Sequence, residues 1–348
     1  MSQTKPLRLG AAYHGNRMPF HAQQDFRDMA NHNMNLVVHM LSHTDWDRHL
    51  KVMKTLVEMS EAEGLETWMD NWGLGGPPGD KSHFLSYYPE SHMYYSDGTM
   101  DPVRVCLNSP AFRKWVKEWI DAVYFTGCRT IFWDEPHLPL KKGADPRPFS
   151  CACPTCKKLF GERFGRPMPE VMDDDVAEFR VSTLVDYFSE VTAYAASKGM
   201  KNAICVMLGT HNGINLDNIE RLCSIETLDS IGSDPYWLGR DVDPYEFVYN
   251  GSKKNIEVSQ RCRKDHNIWI QAYSNPRGRE EEIVLATQAA YDAGARTILA
   301  WGYYGSQSND YGAENAPLVW KKTCDAFERI YSQERDSIIQ EKRRLYKK

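Results

Sequence analysis

Several things are missing from this chain, and each absence narrows what it can be. No uninterrupted apolar run approaches the roughly 18 residues that a bilayer-spanning helix needs, so a helical membrane protein is not expected. Neither a glycine-rich dinucleotide fingerprint nor a phosphate-cradling loop is present, which removes the two commonest nucleotide-binding motifs. Charge of one sign is not in excess. The formal net charge is −5, which argues against nucleic-acid and anionic-membrane partners. The opening Met1-Ser2-Gln3-Thr4-Lys5-Pro6 has no apolar segment behind its basic residue. No secretory leader is read there, and a cytoplasmic protein is expected. The nine cysteines are odd in number, which suits reduced thiols and metal ligands better than a disulfide framework. No internal repeat is visible.

Aromatic residues, by contrast, are plentiful: ten Trp, eighteen Tyr and thirteen Phe. Much of that belongs to a core, but the surplus suits a sugar cleft, where flat rings stack on the apolar faces of pyranoses. A chain of 348 residues also fits a single α/β barrel.

The order of elements points the same way. Strand-forming runs fall at residues 7–13, 35–40, 65–70, 129–133, 202–207, 230–237, 267–273 and 297–302. Helical patterns lie between them at 23–32, 45–63, 109–127, 176–198, 216–223, 244–264 and 280–293, and one follows at 316–331. Asp45 is expected to cap the second helix and Gly64 to stop it. Ser109 followed by Pro110 is a strong helix start. Eight strands alternating with helices predict an α/β fold, a (β/α)8 TIM barrel whose active site lies at the carboxyl ends of the strands. The barrel is expected over residues 1–332, with a Cys-rich insertion at 137–174 after strand 4. A charged helical tail follows at 333–348, and the Gly/Pro-rich loop at 73–103 is expected to shape the cleft.

The fourth strand is the most informative. Ile131, Phe132 and Trp133 run into two adjacent carboxylates, Asp134 and Glu135, and Pro136 then ends the run because proline cannot donate to a ladder. If the barrel closes, the other strand ends deliver His14, His39, Asp70 with Trp72, Asp234 with Tyr236 and Trp237, Gln271 with Tyr273, and Trp301 with Tyr303. Either histidine reads equally well as a hydrogen-bonded core residue. Carboxylates mixed with indoles and phenols make a poor anion site and a good one for a neutral polyol. Separately, Cys151-Ala152-Cys153-Pro154-Thr155-Cys156 places three thiols within one short stretch, with Cys106 as the expected fourth ligand. Four thiolates leave no position for water, so a zinc held there is structural.

Trp133-Asp134-Glu135-Pro136 resembles the Trp-Asn-Glu-Pro motif of retaining glycoside hydrolases built on a (β/α)8 barrel. The resemblance implies that Glu135 is the general acid/base and that Trp301 stacks on the sugar, while Trp133, beside Glu135, is a candidate substrate-binding residue. One distant Cys followed by Cys-x-Cys-x-x-Cys is similar to the zinc site of family-42 β-galactosidases, though this chain stops where those add C-terminal domains. Two departures matter. Asp134 stands where Asn contacts the sugar 2-hydroxyl, and strand 7 ends in Gln271 where that clan has its nucleophilic Glu. An amide cannot act as that nucleophile, so the second carboxylate is expected from Asp234 first, then Asp134 or Asp70, and Gln271 is left to bind sugar. The expected activity is hydrolysis of a neutral saccharide or glycoside, in a protein that could self-associate. The alternatives are a carbohydrate-binding barrel without catalysis and a sugar isomerase or lyase using a strand-end histidine as base.

Overall fold

The computed structural model describes residues 6–72, 83–135, 137–143, 146–208 and 213–346, with side chains through 335. Pro136 and residues 73–82 of the Gly/Pro-rich loop lie outside these. The strands are β1 Arg8–Tyr13, β2 Leu36–Met40, β3 Glu66–Asp70, β4 His92–Tyr94, β5 Met100–Val105, β6 Thr130–Trp133, β7 Lys201–Val206, β8 Ser230–Ser233, β9 Asp265–Gln271 and β10 Thr297–Trp301. Eight of them form a closed parallel barrel in the order β1-β10-β9-β8-β7-β6-β3-β2, while β4 and β5 make a separate two-stranded sheet. The helices are α1 Pro19–Asn31, α2 His43–Ala62, α3 Phe84–Tyr87, α4 Pro110–Thr126, α5 Pro154–Phe164, α6 Asp174–Ser197, α7 Pro244–Arg261, α8 Glu282–Asp292 and α9 Ala316–Tyr346. The expected TIM barrel is therefore the fold. None of these helices is long and apolar enough to cross a membrane.

Burial follows from the pleat, because successive strand side chains point to opposite faces. Ala12, Leu36, Val38, Met40, Trp68, Phe132, Ala203, Cys205, Trp269 and Leu299 fill the lumen as one cluster. The alternate residues, such as Val37, Met69, Ile131 and Ile204, join a larger layer between strands and helices. Both faces of each strand are thus apolar, as a parallel sheet covered by helices requires.

Several local features differ from the sequence reading. Ser42, not Asp45, caps α2. Its side chain accepts from the Asp45 N–H, and the Asp45 carboxylate reaches back to the Ser42 N–H in a capping box. Asp45 also holds Arg17 at 2.7 Å, so it serves two contacts instead of one. The β4–β5 hairpin and α5 were not expected, since their short apolar runs lie among turn residues. The stretch at 216–223 is a 3-10 turn, Ile219–Ser224. Cys223 and Cys262, read as isolated packing residues, are joined as a disulfide.

Lumen packing is tight at Gly232 of β8. A Cβ there would lie 1.9 Å from Asn267 Oδ1 and 2.7 Å from the Asn267 carbonyl oxygen. Asn267 is not free to give way, because its Nδ2 donates to Ser230 Oγ at 2.9 Å and its Oδ1 accepts from Trp269 Nε1 at 3.0 Å. Gly232→Ala is expected to cost about 1–3 kcal/mol, read as a lower midpoint in urea unfolding with an unchanged slope.

Candidate active site

The same pleat determines what stands at the mouth. Two residues beyond Ala12 comes His14, beyond Trp68 comes Asp70, and beyond Phe132 comes Asp134. Beyond Gly232, Trp269 and Leu299 come Asp234, Gln271 and Trp301. All six are therefore inward positions at the carboxyl end of the barrel. Glu135 should turn outward after Asp134, but its φ of 31° breaks the alternation and Glu135 lines the pocket instead. That pocket, of about 120 Å³, is walled by Trp72, Asp134, Glu135, Tyr236, Tyr273, Trp301 and Tyr311. The turn is held at both ends: the Asp134 N–H donates to Asn71 Oδ1 at 3.1 Å, and the Glu135 carbonyl accepts from His137 Nδ1 at 2.8 Å.

Electrostatically the mouth is a concentration of carboxyl groups. Burial pushes Asp70, Asp134 and Asp234 well above the usual carboxylate range, and their negative neighbours push further. For Asp70 that neighbour is Glu135, with the Trp72 N–H opposing the rise, although neither Asp70 oxygen has a partner within strict hydrogen-bond geometry. For Asp134 the neighbours are Asp70 and Glu135. For Asp234 the neighbours are Glu135 first and then Asp134. His14 sits edge-on between Trp72 and Trp301, each 5.3 Å away between ring centres. Burial first, and then the Arg17 charge, lower its pKa to about 4. Neither of its ring nitrogens has a partner. The phenols of Tyr236 and Tyr273 are shifted upward by burial and meet edge to face at 5.4 Å.

Five residues expected at the mouth do other work. His39 is the outward neighbour of Val38, and its Nε2 bonds Ser60 Oγ of α2 at 2.8 Å. Trp133 points outward too: its Nε1 donates to Asn202 Oδ1 at 3.1 Å and its ring packs on Trp119 and Phe188. Trp237 is fully buried and donates to Glu282 Oε2 at 2.7 Å. The Tyr303 hydroxyl bonds Asp25 and Asp28, away from the pocket. Gln271 faces inward, but its amide oxygen accepts the Leu238 N–H at 3.1 Å and so anchors the loop that presents Tyr236. Tyr311 and Asn71 were missed. Tyr311 lies in a loop ten residues past the last barrel strand, and Asn71 acts through its side-chain oxygen; neither leaves a periodic signal.

The cysteines do converge. The sulfurs of Cys106, Cys151, Cys153 and Cys156 all lie within 4.8 Å of one another, and all four residues are buried. Cys106 is 3.5 Å from both Cys153 and Cys156, near the edge of about 3.8 Å that a tetrahedron with metal–sulfur bonds of about 2.3 Å would have. The quartet can hold a metal ion. It joins the end of β5 to the start of α5, where Cys153 is the N-cap. Nearby, Arg180 of α6 donates to the carbonyls of Ser150, at 2.8 Å, and Leu138. The cysteine quartet and the arginine together tie down the segment that leaves Glu135.

No protein-family model matches the chain, and no curated protein matches it in sequence. Solved structures do match. The catalytic domain of a β-amylase from Paenibacillus polymyxa superposes with a TM-score of 0.64 at 11% identity, covering 91% of this chain and 98% of that one. A β-galactosidase from the psychrophilic Marinomonas ef1 gives 0.69 at 11% identity over 95% of this chain. The family-42 β-galactosidase from G. stearothermophilus gives 0.69 at 12% over 93%. This chain has the fold of the (β/α)8 glycoside hydrolases. It spans 60% and 56% of the two β-galactosidases, so the likeness is to part of those proteins.

The buried carboxyls make stability depend on pH with a definite sign. Asp70, Asp134 and Asp234 keep protons in the folded chain that the unfolded chain loses above about pH 4, so they destabilise the fold increasingly as pH rises. His14 and His39, lowered to about 4 and about 3, act oppositely and cost stability as pH falls below about 6.5. Asp70→Asn removes one acid without changing its size. It should stabilise the fold at pH 8 and do so much less at pH 4, measured as paired thermal melts across that range.

Proposed function

We propose that this protein hydrolyses a saccharide or glycoside in the mouth pocket, with Glu135 as general acid/base and Asp234 as the carboxylate that answers it. One observation carries the reading: Glu135 stands in the wall of an aromatic cleft, and Asp234, at the end of a different strand, is near enough to feel its charge. That neighbour adds to burial in pushing the Asp234 carboxyl upward. Retention needs a carboxyl pair about 5–5.5 Å apart and inversion about 6.5–9.5 Å, with room for water; we take the retaining case. Asp234 is then the nucleophile, in place of the strand-7 Glu of the resembling clan.

The steps follow. Glu135 donates a proton to the glycosidic oxygen while the Asp234 carboxylate attacks the anomeric carbon and the leaving group departs as an alcohol. The Glu135 carboxylate then takes a proton from water, whose oxygen displaces Asp234 from the sugar. Asp134, one residue before the acid, contacts the sugar instead of the anomeric centre. Trp72 and Trp301 offer faces to the pyranose, and His14, neutral and unpartnered, can both donate to and accept from hydroxyls. The relatives of known structure that act on saccharides agree with this reading at the level of fold.

The cysteine quartet fits zinc as a structural ion, since four thiolates fill a tetrahedral shell and none of the four borders the pocket. When bound, the ion would hold the insertion against β5, with the Asn108 amide donating to Cys156 Sγ at 3.4 Å.

Glu135→Gln is expected to lower kcat/KM on a glycoside with a poor leaving group by at least about 100-fold. In heavy-oxygen water the wild-type sugar product should gain the label. Full turnover by the variant would remove Glu135 from the acid role, and an unlabelled product would point to a lyase or isomerase. Elemental analysis should find zinc at one ion per chain. Cys156→Ser or prolonged chelation should remove it and lower Tm by roughly 5–10 °C, whereas Cys324→Ser should leave zinc content unchanged.

A further inference from the structure

The pocket holds more acid than glycoside cleavage uses. Cleavage requires two carboxyl groups, and Glu135 and Asp234 supply them. Asp70 and Asp134 remain. Asp70 is fully buried, with the Trp72 N–H near it but neither oxygen in strict hydrogen-bond geometry, and Asp234 is 5% exposed with its Oδ1 unpartnered. Both stand at inward positions at the carboxyl ends of their strands, and Asp134 and Glu135 line the pocket itself. A buried carboxyl without a partner is costly to retain unless something that binds there completes it.

Among the described residues, no free positive charge faces these acids. No lysine or arginine is found among the described residues lining the pocket. Arg17, whose charge reaches His14, is engaged by Asp45 at 2.7 Å, and Arg104 is engaged by Asp101 at 3.0 Å. Of the other titratable groups facing the acids, His14 is held neutral, and burial holds Cys205, Tyr236 and Tyr273 protonated. The rest of the wall is aromatic: Trp72, Tyr236, Tyr273, Trp301 and Tyr311. Carboxylates enclosed by aromatic faces are the surroundings that a desolvated organic cation prefers, since both attract positive charge.

Resting on the hydrolase reading of this pocket, we propose that its substrate is an amino sugar or its glycoside, bound with a protonated amine against Asp70 and Asp134. The ammonium gives Asp134 and Asp70 a charged donor, and the sugar ring keeps its apolar face for the indoles. This goes past the neutral polyol expected from the residue types alone. It also explains why Asp stands at position 134, where the related motif has Asn: a charged acceptor discriminates an ammonium from a hydroxyl far better than an amide does.

Isothermal titration of the full-length chain at pH 6.5 provides the test, using D-glucosamine and D-galactosamine against glucose, galactose and N-acetyl-D-glucosamine. The expected result is that one of the two amino sugars binds at least about 10-fold tighter than both its hydroxyl counterpart and the N-acetylated sugar, equivalent to about 1.4 kcal/mol. In an Asp70→Asn/Asp134→Asn double variant, shown to be folded by its circular dichroism and melt, that ratio should fall to within about twofold. Equal affinities, no saturable binding of either amino sugar at millimolar concentration, or a preference that survives the double variant would each overturn the proposal. The two readings fail separately. Efficient cleavage of neutral glycosides with no amino preference sinks this inference and leaves the hydrolase standing. Tight amino-sugar binding, with amino-sugar glycosides left uncleaved, sinks the hydrolase and leaves this inference.

Discussion

Every residue that a barrel strand turns inward must share a lumen only a few side chains wide. That constraint governs the rest of the molecule. Lower in the barrel it is met by apolar groups, Trp68, Phe132, Trp269 and their neighbours, packed as a single cluster. At Gly232 it is met by having no side chain at all. At the top the same geometry forces Asp70, Asp134 and Asp234 into mutual range, where burial and like charge raise all three pKa values. A ring of acids in that position is expensive for folding, and it holds protons that ordinary carboxylates would have lost.

The outer parts of the chain serve to hold that ring in shape. The Asn71 side chain and the His137 ring brace the backbone on either side of Asp134 and Glu135. Gln271, placed where a nucleophile would stand in the resembling clan, instead bonds the loop after β8 and so helps to aim Tyr236. Farther out, Arg180 and the four cysteines fasten the segment that follows Glu135 to α6 and β5. A site that keeps unfavourable charge needs rigid surroundings, because any loosening would let the carboxyls separate and hydrate.

In the proposed reading, Asp234 does what a strand-7 carboxylate does in the resembling clan. Strand β8 pairs with β9 through Ser233 and Ile268, so the ends of the two strands face the same volume. A carboxylate at the end of β8 would then serve as one at the end of β9 would. A barrel permits such an exchange because its chemistry depends on what reaches the axis, not on which strand carries it.

Much of this was written locally. The alternation of strands and helices, the carboxylates at strand ends and the Cys-x-Cys-x-x-Cys motif are short-range patterns, and they determined the fold class, Glu135, Asp234 and the metal ligands as candidates. What the tertiary structure alone decided was direction. Period-two alternation says that neighbours on a strand face opposite ways, but not which of them meets the axis. His39, Trp133 and Trp237 therefore fell to the outer layer, while Asp70, Asp134 and Trp301 faced in. The positive φ that swings Glu135 into the mouth is braced by contacts from Asn71, distant in sequence, and from His137, two residues on, and Tyr311 arrives from a loop with no periodicity. Contacts made only when the barrel closes chose among faces that the sequence had left equivalent.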